Sequence, residues 1–178
     1  MKCPKCKAEE LYPAKLESDL PAMGCRRCDG ALVSLLYYRD WVERTTLPLT
    51  VDALDAVEPV ADDTKTALTC PKCARLMTKY MISGNQDNRI DLCGSCDEAW
   101  LDGGEWALLK SLDLAKMLPS VFTNQWQKRV RKDVSEQQRF KRLENMVGNS
   151  DAERAQEVAA WLKKSPNRST ILHYLNTD

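Results

Sequence analysis

The eight cysteines of this 178-residue chain fall in four Cys-x-x-Cys pairs, Cys3/Cys6, Cys25/Cys28, Cys70/Cys73 and Cys93/Cys96, with none left over. A thiolate can act as a nucleophile, a redox group or a metal ligand, and the spacing separates these uses. Two Cys-x-x-Cys turns presented by short hairpins supply four sulfurs at about 2.3 Å to tetrahedral zinc. A thioredoxin-like redox pair needs one such motif in a strand-helix-strand setting, not four in register. Rubredoxin-type iron takes the same four thiolates, since spacing does not choose a metal.

The loops from Cys6 to Cys25 and from Cys73 to Cys93 hold eighteen and nineteen residues. Closing loops of that length is entropically modest, so pairing within each half is the economical arrangement. The expected quartets are Cys3, Cys6, Cys25, Cys28 and Cys70, Cys73, Cys93, Cys96, with two Zn2+ per chain. Because protein fills all four positions, such zinc is structural and offers no place for a hydrolytic water. A ribbon this small has little core, so metal binding would supply most of its folding free energy.

The elements that must position these thiols form an internal repeat. Copy one opens Cys3-Pro4-Lys5-Cys6 and closes Cys25-Arg26-Arg27-Cys28; copy two opens Cys70-Pro71-Lys72-Cys73 and closes Cys93-Gly94-Ser95-Cys96. Six residues beyond the last cysteine stand Ser34 and Asp102, both residues that favour a helix N-cap. Asp102 with Glu105 reads as a capping box, predicting a helix from Gly103 to about Leu118, ended by Pro119. Amides after a knuckle normally bond the thiolates, which favours glycine there. Gly30 fits, whereas Lys7-Ala8, Ala74-Arg75 and Asp97-Glu98 predict turns that are more strained or differently bonded.

Copy two, from Cys70-Pro71-Lys72-Cys73 through Cys93-Gly94-Ser95-Cys96 to Trp100-Leu101-Asp102-Gly103-Gly104-Glu105, resembles the transcription factor IIB-type zinc ribbon of small bacterial proteins. That family's pattern is Cys-Pro-x-Cys, then Cys-x-x-Cys-x-Gly-x-Trp-Leu-Asp-x-x-Glu. Copy two departs at Glu98, where the family has glycine. Copy one keeps Gly30 but has Leu32 for the tryptophan and Ser34 for the aspartate. The resemblance implies a zinc-binding, bacterial protein with a nucleic-acid or transcription role. A ribbon is a scaffold reused for DNA, RNA and protein contacts, so function must be argued from surfaces.

Charge is balanced overall, with 26 basic and 26 acidic residues, but unevenly placed. Residues 45–69 carry Lys65 against Asp52, Asp55, Glu58, Asp62 and Asp63, and read as an acidic linker with room for a short helix near Val51 to Val57. Beyond Pro119 the pattern predicts three helices, Ser120 to Val147, Asp151 to Lys164 and Pro166 to Asn176, with Gly148 as a stop and Ser150 with Glu153 as a capping box. On the first of these, Phe122, Trp126, Val130, Val134, Phe140, Leu143 and Val147 form an apolar face. Lys128, Arg131, Lys132, Arg139 and Arg142 share an acid-free sector between about 180° and 280°. That sector can track a phosphate backbone or serve as an ordinary solvated face. Arg26 and Arg27 would extend a basic surface if they face the same way.

Tyr37, Tyr38, Trp41, Trp100, Trp106, Trp126 and Trp161 read mainly as core, and the C-terminal helices are expected to pack over copy two. His173, the single histidine, has neither a general-base partner nor a vacant quartet to join, so it reads as a half-buried structural residue and no enzyme is expected. A helix-turn-helix reading of the last two helices is weak. No apolar run reaches the ~18 residues of a membrane span, and the Met1-Lys2-Cys3 opening has no signal-peptide character, so a cytoplasmic protein without membrane contact is expected.

The expected fold class is α+β: two small zinc ribbons, each a short β-hairpin set followed by a helix, plus an all-helical extension. The expected segments are 1–44, a linker at 45–69, 70–118, and 119–178. The expected function is regulation through nucleic acid or the transcription machinery; the alternative is a protein-protein adaptor with purely structural zinc. A thiol redox sensor is a third class, marked by zinc release on mild oxidation.

Overall fold

The computed structural model describes residues 1–45 and 62–177. The short helix expected near Val51 to Val57 lies outside them. Among the described residues there are six strands and six helices, and the chain divides into a unit ending at Arg131 and a second beginning at Lys132.

In the first unit, β1 (Tyr12–Glu17), β2 (Leu20–Gly24) and β3 (Ala31–Ser34) come from copy one, and β4 (Thr78–Met81), β5 (Arg89–Cys93) and β6 (Glu98–Leu101) from copy two. All six form a single antiparallel sheet in the order β1-β2-β3-β6-β5-β4. The two copies meet along β3 and β6, with Ala31 opposite Leu101, Leu32 opposite Trp100, Val33 opposite Ala99 and Ser34 opposite Glu98. Leu32 and Trp100 each stand four residues past their copy's last cysteine. Equivalent positions therefore face each other, and a local two-fold axis runs through that pair.

Alternation along the strands divides the sheet into two faces. Ala31, Val33, Ala99, Leu101, Leu20, Ala22 and Ile90 point to a core completed by Leu35, Tyr38 and Trp41 of α1 (Leu35–Arg44) and by Trp106, Leu108 and Leu109 of α2 (Glu105–Ser111). Leu32 and Trp100 point to the other face, among Cys3, Cys25, Cys70, Cys93, Leu11, Leu68 and Met77. Each indole of the first unit has an acceptor, as burial of a donor requires: Trp41 donates to the Ser18 carbonyl, Trp106 to Glu17, Trp100 to Asp102 and Trp126 to the Ile82 carbonyl.

The helices differ from the sequence reading at their ends. Asp113 takes a left-handed backbone (φ 57°), and the bonds Asp113 N to Lys110 O and Leu114 N to Leu109 O form a Schellman stop. The helix expected over Gly103 to Leu118 thus ends at Ser111, and a separate turn, α3 (Leu118–Val121), follows with Pro119 in its first positions. Thr123, whose hydroxyl accepts from Trp126 N, then starts α4 (Asn124–Val147). α5 (Asn149–Lys164) and α6 (Arg168–Leu175) complete the chain. Gly148 (φ 84°) separates α4 from α5, and no Ser150 capping box forms, because Ser150 already lies inside α5.

The start of α4 does pack on copy two. Gln127 accepts from Met81 N (3.3 Å) and donates to Met81 O (3.0 Å), closing the outer edge of β4, and Trp126 sits beside it on Ile82. Among the described residues of the second unit only Ala152 and Leu162 are buried, while Met146, Val158, Trp161, Tyr174 and Leu175 are exposed. Trp161 and Tyr37 are thus not core residues, in contrast to Tyr38, Trp41, Trp100 and Trp106. His173 is exposed rather than half-buried, and its carbonyl accepts from the Thr177 hydroxyl. No described helix is long and apolar enough to cross a membrane.

Candidate metal centres

Each thiol quartet is assembled by two turns of one copy. The first knuckle is pinched by an isolated bridge, Lys2 with Glu10 in copy one and Thr69 with Leu76 in copy two. The second knuckle joins β2 to β3 and β5 to β6. In all four, the residue after the second cysteine is left-handed: Lys7 (φ 59°), Asp29 (52°), Ala74 (58°) and Asp97 (53°). Its amide bonds the carbonyl of the first cysteine each time, at 2.8, 3.0, 2.8 and 3.0 Å. The turn has the same form in every knuckle, with none of the four left-handed positions filled by glycine. Asparagine and aspartate tolerate this conformation; Lys7 and Ala74 carry a strain of about 1 kcal/mol each.

The expected difference in sulfur bonding does not follow the glycine, since the Ala74-Arg75 knuckle behaves like the Gly30 one. The Gly30 amide favours the thiolate of Cys28 and the Arg75 amide that of Cys73. In the first knuckle of copy one, Ala8 N instead bonds the Cys6 carbonyl at 2.7 Å. Gly30 has a further role: a Cβ built there would lie 2.3 Å from Trp100 Cζ2.

The sulfurs of Cys3, Cys6, Cys25 and Cys28 all lie within 4.8 Å of one another, as do those of Cys70, Cys73, Cys93 and Cys96. Three separations are resolved: 3.7 Å for Cys3 to Cys28, 4.0 Å for Cys6 to Cys25 and 3.6 Å for Cys73 to Cys93. A tetrahedron with metal-sulfur bonds of about 2.3 Å has edges of roughly 3.8 Å, whereas a disulfide measures about 2.05 Å. The donor sets therefore fit a tetrahedral ion, and either quartet could hold one. In each, one cysteine of every pair is buried and the other half-buried. Burial pushes the Cys3 thiol up, while the Arg75 amide pulls Cys73 down. A central dication is the natural means of ionising all four thiols together.

Around Trp100 lies a buried polar cluster that explains the sequence Trp100-Leu101-Asp102-Gly103-Gly104-Glu105. Asp102 accepts from Trp100 Nε1 (3.0 Å) and Thr64 N (2.6 Å) and pairs with Lys5 of copy one at 3.5 Å. Glu105 Oε2 reaches back to Asp102 N at 2.8 Å. Half of the capping box is thus formed; the other half is lost because the Asp102 carboxylate is committed to the tryptophan, Thr64 and the lysine. Glu105 is fully buried and its Oε1 has no protein partner among the described residues. Burial, reinforced by the charges of Asp102, Asp63 and Asp91, pushes its carboxyl up to about 9. Asp91 is ion-paired with Lys79 at 2.8 Å.

The five bases of the α4 sector, Lys128, Arg131, Lys132, Arg139 and Arg142, are all exposed. Their one ion pair among the described residues joins Lys132 to Glu136 at 3.8 Å. Arg26 and Arg27 are also exposed, Arg26 lying 5.0 Å from the centre of the Tyr12 ring. The feature that sequence reasoning missed is the seam between copies. Its signal was available in the repeat itself, where Gly30 and Trp100 survive in opposite copies. Comparison of the chain with protein-family models, with curated proteins and with solved structures gives no match.

Proposed function

We propose that this is a non-enzymatic zinc protein of the cytoplasm that contacts nucleic acid, or the transcription machinery acting on it, through the basic face of α4. Zinc is the metal that best suits a closed set of four thiolates whose sulfur separations match a tetrahedron. A filled shell leaves no coordination site for substrate or water, so the ions act as staples. The resemblance of copy two to transcription factor IIB-type ribbons points the same way. Elemental analysis of the reduced chain should give two zinc ions, retained under mild oxidation; release with Cys-Cys bond formation would favour a redox sensor instead.

The observation that carries the nucleic-acid reading is the exposure of five bases in one acid-free sector of a single helix. Phosphate neutralisation by such a sector is the main source of sequence-independent affinity. The expected result is binding at low salt that weakens steeply as salt rises. Charge reversal at Lys128, Arg131 and Lys132 should reduce both the affinity and the salt slope. Absence of binding at low salt, or binding indifferent to salt, overturns this reading.

A second reading, a protein-interaction adaptor, is favoured by the second unit. Val158, Trp161, Tyr174 and Leu175 stand exposed there on α5 and α6, and exposed apolar surface of this kind marks protein contacts. A partner captured equally well by the charge-reversed chain, but not by Trp161→Ser, would select the adaptor.

A further inference from the structure

We infer that the two metal centres load cooperatively, because each copy's knuckle is part of the other copy's folded surface. The inference rests on the zinc reading and adds a coupling between the sites.

The contacts across the seam are reciprocal. Leu35 and Gly103 each stand seven residues past their copy's last cysteine. Leu35 N donates to the carbonyl of Asp97, the left-handed residue of copy two's second knuckle, at 2.8 Å. Gly103 sits so close to copy one's second knuckle that a Cβ would lie 2.8 Å from the Cys28 carbonyl and 3.5 Å from Asp29 Cβ. Gly30 of copy one lies under Trp100 of copy two, and Lys5 of copy one's first knuckle pairs with Asp102 of copy two. Four ligands, Cys3, Cys25, Cys70 and Cys93, share one buried apolar cluster with Leu32 and Trp100.

A knuckle without its ion has little else to hold it, since a folded zinc site owes most of its order to the metal. An ion at copy one fixes Cys25–Cys28, and with it the surface that receives Gly103 and Trp100. An ion at copy two fixes Asp97, and with it the acceptor for the start of α1. The first ion therefore orders a seam that the second finds already formed. Linkage requires the effect to be equal in both directions.

The test uses the full reduced chain, stripped of metal and titrated with Zn2+ under native mass spectrometry. At an average load of one ion per chain, independent centres of any affinities leave at least about half of the chains singly loaded, as follows from two-site binding statistics. The expected result is less than that, with an excess of empty and doubly loaded chains; half or more singly loaded, together with a remaining site of unchanged affinity in the variants below, overturns the inference. Chains that never carry two ions overturn the zinc reading and the coupling with it. As a second measurement, the double variants Cys3→Ser/Cys6→Ser and Cys70→Ser/Cys73→Ser each keep one quartet. Chelator competition should show that quartet weakened by about tenfold or more, and by the same factor in both variants. A remaining site of unchanged affinity means that the centres are independent.

Discussion

Gly30 of copy one lies against the indole of Trp100 in copy two, so closely that a single added methyl would approach Cζ2 to 2.3 Å. Trp100 is fully buried and fixed by its bond to Asp102, so it cannot move aside without breaking that bond. Gly30→Ala should therefore destabilise the chain by about 2 kcal/mol, in the range typical of overpacking. Combining it with Trp100→Leu should cost less than the sum of the two changes. Chemical denaturation of the zinc-loaded variants checks this, and strictly additive costs would mean that the two residues do not compete for the same space.

The same seam accounts for the opposite divergence in the other diagonal. By the β3 to β6 register, Glu98 is to Leu32 what Gly30 is to Trp100. Copy two carries glutamate where copy one has glycine, and copy one carries leucine where copy two has tryptophan. The smaller Leu32 leaves room for a side chain at position 98, and buried Glu98 is ion-paired with Lys72. Leu32→Trp alone should be destabilising. In a double-mutant cycle with Glu98→Gly, the interaction should be favourable by about 1 kcal/mol or more, although Glu98→Gly by itself loses the ion pair and adds a strand glycine. A cycle that closes to zero would remove the compensation.

The cysteine spacing, the repeat and the helix that follows each copy were legible because they are local: a knuckle is four residues and a helix repeats every 3.6. The pairing of β3 with β6 was not legible, since it joins residues about seventy positions apart and nothing in a strand's own alternation says which strand it will meet. The helix ends were misplaced where side chains had a better partner. Asp102 was read as an N-cap, yet Trp100, Thr64 and Lys5 take its carboxylate. Asp113 shows no stop signal of the glycine kind and nonetheless ends α2 by turning left-handed. The strain expected of glycine-free knuckles is present at Lys7 and Ala74, which take the left-handed position, whereas the contact of Gly30 with the tryptophan was not legible.

Glu105 gives the fold a pH dependence of definite sign. Its carboxyl lies well above the ordinary value of 4.5, at about 9, because burial and the charges of Asp102, Asp63 and Asp91 disfavour ionisation. Between these values the folded chain holds a proton that the unfolded chain has released. Stability from this group is therefore present at low pH and is lost as pH rises, by up to about 1.4 kcal/mol per unit. Glu105→Gln keeps an acceptor for Asp102 N without the titration. The stability advantage of the variant over the natural chain should grow from about pH 6 to about pH 8. Denaturation curves for both proteins across that range decide the matter, because a constant difference would mean that Glu105 does not titrate there. Any pH dependence of the two thiol quartets is common to both chains and cancels.

The last prediction concerns the outer edge of the sheet. An open edge strand invites pairing with another chain, and the two edges here are closed by different means. β1 carries Pro13, which has no amide to offer. β4 has no proline, and its Met81 N–H and carbonyl are both taken by the side chain of Gln127, which also donates to Val121 O at 2.9 Å. A single glutamine thus replaces a missing strand and ties the start of α4 to copy two. Gln127→Leu should free both Met81 groups and cost about 1 to 3 kcal/mol, the usual range for polar groups left without partners. Hydrogen exchange at Met81 should quicken while the amides shared by β1 and β2 keep their protection. Unchanged exchange at Met81 would show that the strand edge does not depend on the glutamine. A uniform loss across the sheet would mean that the clamp supports the whole fold rather than one edge.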